Sequence, residues 1–530
     1  VVFGDSLILA RLVSAFAGIG TVYGVFCLGR ELYSRNAGYI AALLISVNLF
    51  HIEYSQEARS YAMLTFFVVM AFYRLMVFIR VPSYRNAVFL GIFAGLIPNA
   101  HPIGLVNVVA LYFVLFVIML LRPVPDRKLF FKLTVVSGII MLAFFFPVYF
   151  IVAKVSGIQS FWIPAPTLAS IIQVFTDLSG YSRIMLAAFC VSGIYFFSRA
   201  AIAVVKQSDK KLSLAALVLS AWLFIEAAII IGKSYTGVSI ILNRYFIALL
   251  PAMMLIIAIS ICLLPRIAQF AVTACCALAF LYVVFIGNKY YTTFKKSQFS
   301  EVANGIMKSP FAQDKLVSNW GWLMGYYFHD DQNNSLATEK DLEKHISDMS
   351  SGNEEPVSFW YMDGNYRPFS ITPEAQKYLD ANFVLTEVIE KHDAWARHFK
   401  TRRAGAVYID IHRFRPAMFD GSGALIFVQN QESSHPAVML DHGRYQLSFK
   451  GFSLPEKPIR GENAHFVAFI NDRQIGEFYL PNGKEAAVPV LTFEHSGGPA
   501  ALKLRYDNDL VEGPDDRNAV VNAVILKKVE

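Results

Sequence analysis

The sequence predicts a multi-pass α-helical membrane bundle, then a small α/β domain, then a C-terminal β-sandwich of jelly-roll type. Three observations predict it. The chain is 55% hydrophobic and only 16% charged, where a soluble protein carries about 25% charge. Its apolar residues are concentrated before Tyr290, and beyond that point the composition is that of a water-soluble domain. After the turn-rich Asp420-Gly421-Ser422-Gly423 the pattern changes again, to short strands alone. Domain boundaries are therefore expected at 1–288, 289–420 and 421–530.

A spanning helix needs about 20 mostly apolar residues. On that template about ten segments emerge, the first three being Leu12–Leu32, Ala37–Tyr54 and Ser60–Ile79. A short one, Ala87–Ala100, and Ile103–Leu121 flank an expected break at Pro98 and Pro102. Leu129–Val152, Ile184–Val205, Leu212–Ile231, Tyr245–Leu264 and Ile267–Ile286 complete the set. Loop charges test this count independently. Alternate loops hold Arg30 and Arg35; Arg80 and Arg85; Arg122, Arg127, Lys128 and Lys132; Arg199, Lys206, Lys210 and Lys211; and Arg266. The intervening loops hold only Arg59, Lys154, Arg183, Lys233 and Arg244. This is the positive-inside asymmetry. It places everything after Asn288 outside the cytoplasm, on the same face as Arg59. The loop from Lys154 to Arg183 contains FWIPAPTL, whose Phe161 and Trp162 suit an interfacial anchor or a cover over a site.

From Tyr290 to about Arg415, Lys315–Asn319, Pro356–Asp363 and Ala406–Ile411 read as strands. Glu301–Met307, Leu323–Phe328 and Glu374–Ala381 read as helices, so this part is a small α/β domain. Tyr445–Lys450, His465–Ile470 and Ala500–Tyr506 are among the strands of the final β-domain. All five cysteines lie in the apolar segments, which excludes a disulfide framework or a cysteine zinc site from the external half. The net charge of +7 reflects the cytoplasmic loops. No basic stripe with interleaved aromatics is present, so a nucleic-acid partner is not expected. The sequence opens at Val1 without a methionine, and its first residues read as the approach to a membrane helix. An amino-terminally truncated fragment is therefore expected.

Chemistry concentrates in HIEYSQEARSYAML, His51–Leu64, which sets Glu53, Glu57 and Arg59 between two apolar runs. Charge at a bilayer centre costs ~2.5–3.5 kcal/mol per residue, so this cluster belongs at a membrane edge or in a polar cavity. Arg244 begins a later span on the same external side. A guanidinium offers a planar fork for phosphate oxygens. Two of them at one depth suit a lipid phosphate or diphosphate, the plainer alternative being residues that snorkel at helix ends. Glu226, inside an apolar run, is either a functional carboxylate or a structural partner of Lys233 or Arg244. His101 is expected as a buried, satisfied histidine, its alternative being a bond to a substrate oxygen. In the β-domain, Asp507, Asp509, Glu512, Asp515 and Asp516 crowd one loop. They form either a solvated acidic turn or a site for Ca²⁺, which prefers hard oxygen ligands. No metal is expected in the membrane domain.

HIEYSQEARSYAML, the preceding RLVSAFAGIGTVYGVFCLGRELYSRNAGYIAALL and the later RYFIALLP resemble membrane-embedded glycosyltransferases of the GT-C class. The resemblance is to the branch of the dolichyl-phosphate-mannose protein mannosyltransferases and the lipid A aminoarabinose transferase, over approximately Val1–Asn288. It implies a GT-C-like bundle, a polyprenyl-phosphate sugar donor, an extracytoplasmic protein, lipid or glycan acceptor, and inversion at the anomeric carbon. It also implies that Arg59 and Arg244 hold the donor phosphate and that Glu57 orients Arg59; Tyr61, His101, Glu226 and Tyr245 are expected as supporting residues. The catalytic acid of the family lies in a first external loop that this sequence does not contain. Asp5, the only acid before Arg11, is the one candidate here. The β-domain resembles calcium-dependent carbohydrate-binding modules of the xylan-binding type, through Asn508-Asp509 and Asp516-Arg517-Asn518. That implies a Ca²⁺ held by Asp509, Asp515 and Asp516. The rival expectations are a non-enzymatic flippase of lipid-linked glycans, which internal inverted repeats with broken helices would favour, and a membrane-tethered lectin.

Overall fold

The computed structural model describes residues 7–121, 126–156, 163–328, 337–354, 356–402, 406–420, 423–455, 457–482 and 489–529. The chain forms two compact units, Val1–Thr293 and Phe294–Glu530.

The first unit is helical, because in lipid each apolar segment must pair its own backbone groups. Its helices are α1 (Leu7–Leu32), α2 (Arg35–Ser46), α3 (Leu49–Ser55), α4 (Tyr61–Arg80), α5 (Tyr84–Ala100), α6 (Leu105–Leu121) and α7 (Arg127–Ser156). There follow α8 (Leu168–Leu178), α9 (Arg183–Lys206), α10 (Lys210–Ser220), α11 (Glu226–Thr236), α12 (Leu250–Cys262) and α13 (Arg266–Tyr282). Among the described residues eight helices are long and apolar enough to cross a membrane, or up to nine if the bent pair α2–α3 is one span. The shorter α5 has 17 residues. Side-chain oxygens of Ser34, Ser83, Ser182 and Asp209 cap α2, α5, α9 and α10. α12 lies at the centre, with 89% of its span buried, whereas the spans of α9 and α13 are only 17% buried. Ile267 and Phe270 of α13 are 88% and 80% exposed. An apolar surface of this kind needs lipid rather than water as its solvent. α1 and α2 meet backbone to backbone: a Cβ on Gly29 would sit 2.8 Å from the Gly38 Cα.

Two local expectations are corrected. The helix break falls at His101, and Pro98 lies inside α5. The connection from Lys154 to Arg183 is not loop throughout, because it contains α8, started by a reciprocal Thr167–Ser170 cap. Phe161 and Trp162 lie outside the described residues.

The second unit begins with the α/β domain. Its strands are β1 (Lys315–Ser318), β2 (Ala337–Glu339), β3 (Phe359–Gly364), β4 (Phe383–Lys391) and β5 (Ala394–Thr401), in the order β2-β1-β3-β5-β4. The pairings of β1 with β2 and β3 are parallel, and those of β5 with β3 and β4 are antiparallel. Helices α14 (Phe299–Lys308), α15 (Gly321–Tyr327), α16 (Leu342–Ser350) and α17 (Pro373–Asn382) accompany the sheet. Successive residues of β3 serve opposite cores: Trp360 and Met362 pack with Phe299 and Ile306, while Phe359 and Tyr361 pack with Leu342 and Leu379.

The sandwich uses β6 (Ala406–Ile409), β7 (Met418–Phe419), β8 (Leu425–Phe427), β9 (Gln431–Ser434), β10 (Val438–Leu454) and β11 (His465–Ile470). It continues with β12 (Arg473–Tyr479), β13 (Val490–Ala500), β14 (Leu502–Tyr506), β15 (Val511–Glu512), β16 (Asp515–Asp516) and β17 (Asn518–Lys528). One sheet runs β13-β10-β17-β8-β7 and the other β12-β11-β14-β9. The strand expected to end the α/β domain, β6, pairs instead with β17, Ile409 facing Val524. β8 covers only the first residues of β17, and β6 covers the remainder of that edge. The sandwich sheet therefore starts before Asp420.

A part-buried ionic cluster ties the α/β domain together. Glu354 accepts from Lys315, from Lys340 at 2.9 Å and from His345 Nδ1 at 3.1 Å, and Lys340 also reaches Asp348 at 2.8 Å. Burial, then the two lysines, hold the His345 imidazole far below its ordinary range. Burial, then Lys340, pushes Lys315 down to about 8. A histidine kept neutral in the fold takes up a proton below about pH 6.5 only when unfolded. Stability should therefore fall as pH drops through that point, by up to about 1.4 kcal/mol per pH unit for one proton. Thermal unfolding at about pH 7.5 and about pH 5.5 should show this dependence, and His345→Asn should flatten it. An unchanged slope in the variant would remove His345 as its source.

Candidate functional site

The turn Gln56–Ser60 joins α3 to α4 at one end of the bundle. Ser14 donates to the Arg59 carbonyl at 3.1 Å, which pins this turn to α1. The Arg59 side chain is 56% exposed, with its Nε 3.8 Å from Glu57 Oε2. An ion pair this open contributes little stability, so what it does is orient the guanidinium. Tyr61, the first residue of α4, stacks on His101 with ring centroids 5.3 Å apart, and Tyr54 packs edge-on at 5.4 Å. Tyr245 closes the cluster, 5.4 Å from His101 and 6.4 Å from Tyr61. Arg59 lies two residues before Tyr61 and Arg244 directly before Tyr245, so each arginine sits on the segment that carries one of these rings.

The structure thus brings together Glu57, Arg59, Tyr61, His101, Arg244 and Tyr245 from three separate helix junctions. Glu226 is elsewhere. It is 1% exposed inside the bundle, beside Asn107 and Trp222, and among the described residues it has no ion pair to Lys233 or Arg244. It follows a π-helical turn, Ala221–Ile225, where Trp222 stacks on Phe72 at 4.1 Å. Asp5 lies outside the described residues.

Sequence reasoning missed the residues that hold this end in place. Asp177, buried at the end of α8, accepts from Gln173 at 2.7 Å and from Asn243 at 2.9 Å. Asn243 in turn accepts from the Arg244 backbone N–H at 2.7 Å, so α8 braces the turn that carries Arg244. Tyr181 donates to Glu53, Tyr290 donates to Gln56 at 3.2 Å, and Asn48 donates to the Leu178 carbonyl at 3.0 Å. The signal available was a carboxylate in an otherwise apolar helix, LASIIQVFTDL. These contacts put the residues near 56, 101, 177, 243 and 290 at one end of the bundle, in agreement with the loop charges but independently of them.

A second candidate site lies in the acidic loop of the sandwich. His465 meets Asp507 at 2.7 Å, and Asn430 accepts from the Asp509 N–H at 2.7 Å. Three buried oxygens, Asp509 Oδ1, Asp516 Oδ1 and Asn518 Oδ1, receive no hydrogen bond. Burial, then the neighbouring Asp516 charge, pushes the Asp509 carboxyl up. Unsatisfied oxygens at this density suit a hard cation. Asp515 is exposed, on the ribbon opposite Glu512. Among the described residues, no group of three or more His, Cys, Asp or Glu side chains forms a metal-ligand set. The donors here are two carboxylates and one amide.

No curated protein matches the chain significantly. Among solved structures, ArnT from Cupriavidus metallidurans bound to undecaprenyl phosphate is 11% identical with a TM-score of 0.48, covering 75% of this chain and 85% of that one. The oligosaccharyltransferase of Archaeoglobus fulgidus, in complex with Zn and sulfate, is 11% identical with a TM-score of 0.44, covering 98% of this chain and 86% of that one. The CBM36-1 domain of a multidomain xylanase from the hindgut metagenome of Trinervitermes trinervoides is 14% identical with a TM-score of 0.19, covering 24% of this chain and 97% of that one. The family match is shorter than the resemblance read from the sequence, and it includes the turn carrying Glu57 and Arg59: residues 1–151 match the model described as Dolichyl-phosphate-mannose-protein mannosyltransferase.

Proposed function

We propose that this protein is a membrane glycosyltransferase. It moves a sugar from a polyprenyl-phosphate donor to a hydroxyl of a protein, lipid or glycan outside the cytoplasm of a bacterial cell. The observation that carries this reading is the meeting of Tyr61, His101 and Tyr245 in one aromatic cluster at the predicted external end of the bundle, with Arg59 two residues before Tyr61 and Arg244 directly before Tyr245. In the reaction an acceptor oxygen attacks the anomeric carbon, the bond from that carbon to the phosphate oxygen breaks, and the acceptor proton passes to a carboxylate base. The leaving polyprenyl phosphate gains a negative charge, which Arg244 and Arg59 would stabilise. Tyr61, His101 and Tyr245 would form a wall for the sugar ring. An apolar groove of about 350 Å³, lined by Ile171, Phe175, Phe189 and Phe224 among others, would take the polyprenyl chain. α8 thus contributes both to that groove and, through Asp177, to the Arg244 turn. Purified protein in nanodiscs should release polyprenyl phosphate from a radiolabelled polyprenyl-phosphate sugar when a membrane extract supplies acceptors. Absence of release with every sugar donor tried would sink the reading, as would reporter fusions placing the segment after Asn288 in the cytoplasm.

We further propose that Asp509, Asp516 and Asn518 hold a Ca²⁺ ion. When bound, it would offer open coordination positions to vicinal sugar hydroxyls. Asp515, exposed on its ribbon, is left out of this set. Calcium at about 100 times its Kd should stabilise the domain by about 2.7 kcal/mol. Asp516→Asn should abolish that gain. A thermal midpoint indifferent to millimolar calcium and to chelator would remove the ion from the reading.

A further inference from the structure

The sandwich carries another cleft, separate from the acidic loop and opposite to it in charge. β10 and β13 pair so that His442 faces Ser496, Arg444 faces Glu494 and Gln446 faces Thr492. Residues two apart on a strand share a face, so these polar side chains stand in a row. The turn at Asn471 and Asp472, both in the left-handed region, brings β12 round to the other side. There Arg473 and Gln474 help to enclose a cleft of about 930 Å³. Ile470, Ile475 and Phe493 supply its apolar part.

The charges in this cleft are not internally balanced. Elsewhere in the sandwich Arg460 pairs with Glu512, Arg505 with Glu432 and Asp507, and Arg517 with Glu462. Among the described residues Arg444 and Arg473 have no such ion pair, and Glu494 is the one carboxylate that lines the cleft. His495 Nδ1 accepts from the Gly497 N–H at 3.1 Å, which leaves Nε2 as a donor for a ligand. Two forked cations, neutral donors and acceptors along one strand pair, and an apolar surface match a molecule with hydroxyls, C–H faces and negative charge.

We propose that this cleft binds an anionic saccharide, one carrying carboxylate or phosphate groups. The site would act with or without sugar transfer in the bundle, and with or without calcium in the acidic loop. The test is calorimetric titration of the full chain in nanodiscs with trigalacturonate, phosphorylated maltotriose and maltotriose. One or both anionic probes should bind at least about tenfold more tightly than maltotriose, and their ranking tells carboxylate from phosphate as the preferred group. Raising salt from about 50 to about 500 mM should weaken that binding. The double substitution Arg444→Ala, Arg473→Ala should weaken it at least about tenfold. Thr492→Trp should block the cleft while leaving its charges intact. Equal affinity for all three probes, no binding of any, or indifference to both the arginine and Thr492 variants would overturn the proposal. Loss of binding on Asp516→Asn alone would assign the saccharide to the acidic loop instead.

Discussion

Arg244→Ala is expected to slow sugar transfer by about 10²-fold or more, with the protein still folded. A polyprenyl-phosphate sugar carries one negative charge on its phosphate, and the departing polyprenyl phosphate carries up to two. A cation beside that group therefore binds the transition state more tightly than the bound donor, and its loss should appear mainly in kcat. Arg244 is only part-exposed and is braced through Asn243 and Asp177, so its geometry is set before the donor arrives. The Arg59 side chain is 56% exposed, and its ion pair to Glu57 among the described residues is long, at 3.8 Å. Its alanine variant should lose about tenfold, because solvent screens a charge so placed. Arg244→Lys should recover part of the rate, restoring charge without the two-pronged geometry. Turnover of labelled donor by the three variants, normalised to protein with an unchanged thermal midpoint, decides the matter. Full activity in Arg244→Ala would show that the guanidinium merely marks a helix end.

Glu354→Ala is expected to destabilise the α/β domain by about 3–5 kcal/mol, the usual consequence of removing one partner from a buried charge cluster. Lys315, Lys340 and His345 all converge on this one carboxylate, and the Lys315 side chain is only 9% exposed. Without Glu354 the two ammonium groups face each other in a poorly solvated site. The thermal midpoint should fall by about 10 °C for a unit of this size. Tryptophan fluorescence is a suitable probe, since Trp320, Trp322, Trp360 and Trp395 all lie in this domain. Replacing Lys315 and Lys340 by methionine in the same variant should restore much of the loss, because a buried ion cluster can often be exchanged for apolar side chains at little net cost. If Glu354→Ala melts like the parent chain, the cluster is too well hydrated to matter.

The sandwich illustrates how far local pattern can be trusted. The strands near Tyr445–Lys450 and His465–Ile470 follow from alternation alone, and they form inside β10 and β11. The strand near Ala406 was equally legible as a strand, but its partner was not, because alternation says nothing about which edge is free. β17 supplied that edge more than a hundred residues later. The acidic loop is similar. Its carboxylates are adjacent in sequence, so their crowding could be foreseen. That Asp515 stays exposed while Asp516 and Asn518 turn inward depends on the ribbon β15–β16 and on Tyr506 accepting its place under Arg517, whose carbonyl it bonds at 2.6 Å.

From its amino acids alone the chain declared its division between two solvents, its apolar helices and the end of the bundle at which Arg59 and Arg244 belong. Each of these is a one-dimensional property, a transfer free energy or a charge summed along a short window. Only the folded molecule decided that Tyr61, His101 and Tyr245 form one cluster, that α8 braces Arg244 through Asp177, and that Glu226 stays apart among Asn107 and Trp222. Those outcomes depend on packing between segments tens to hundreds of residues apart, and no local energy encodes which helix will lie against which.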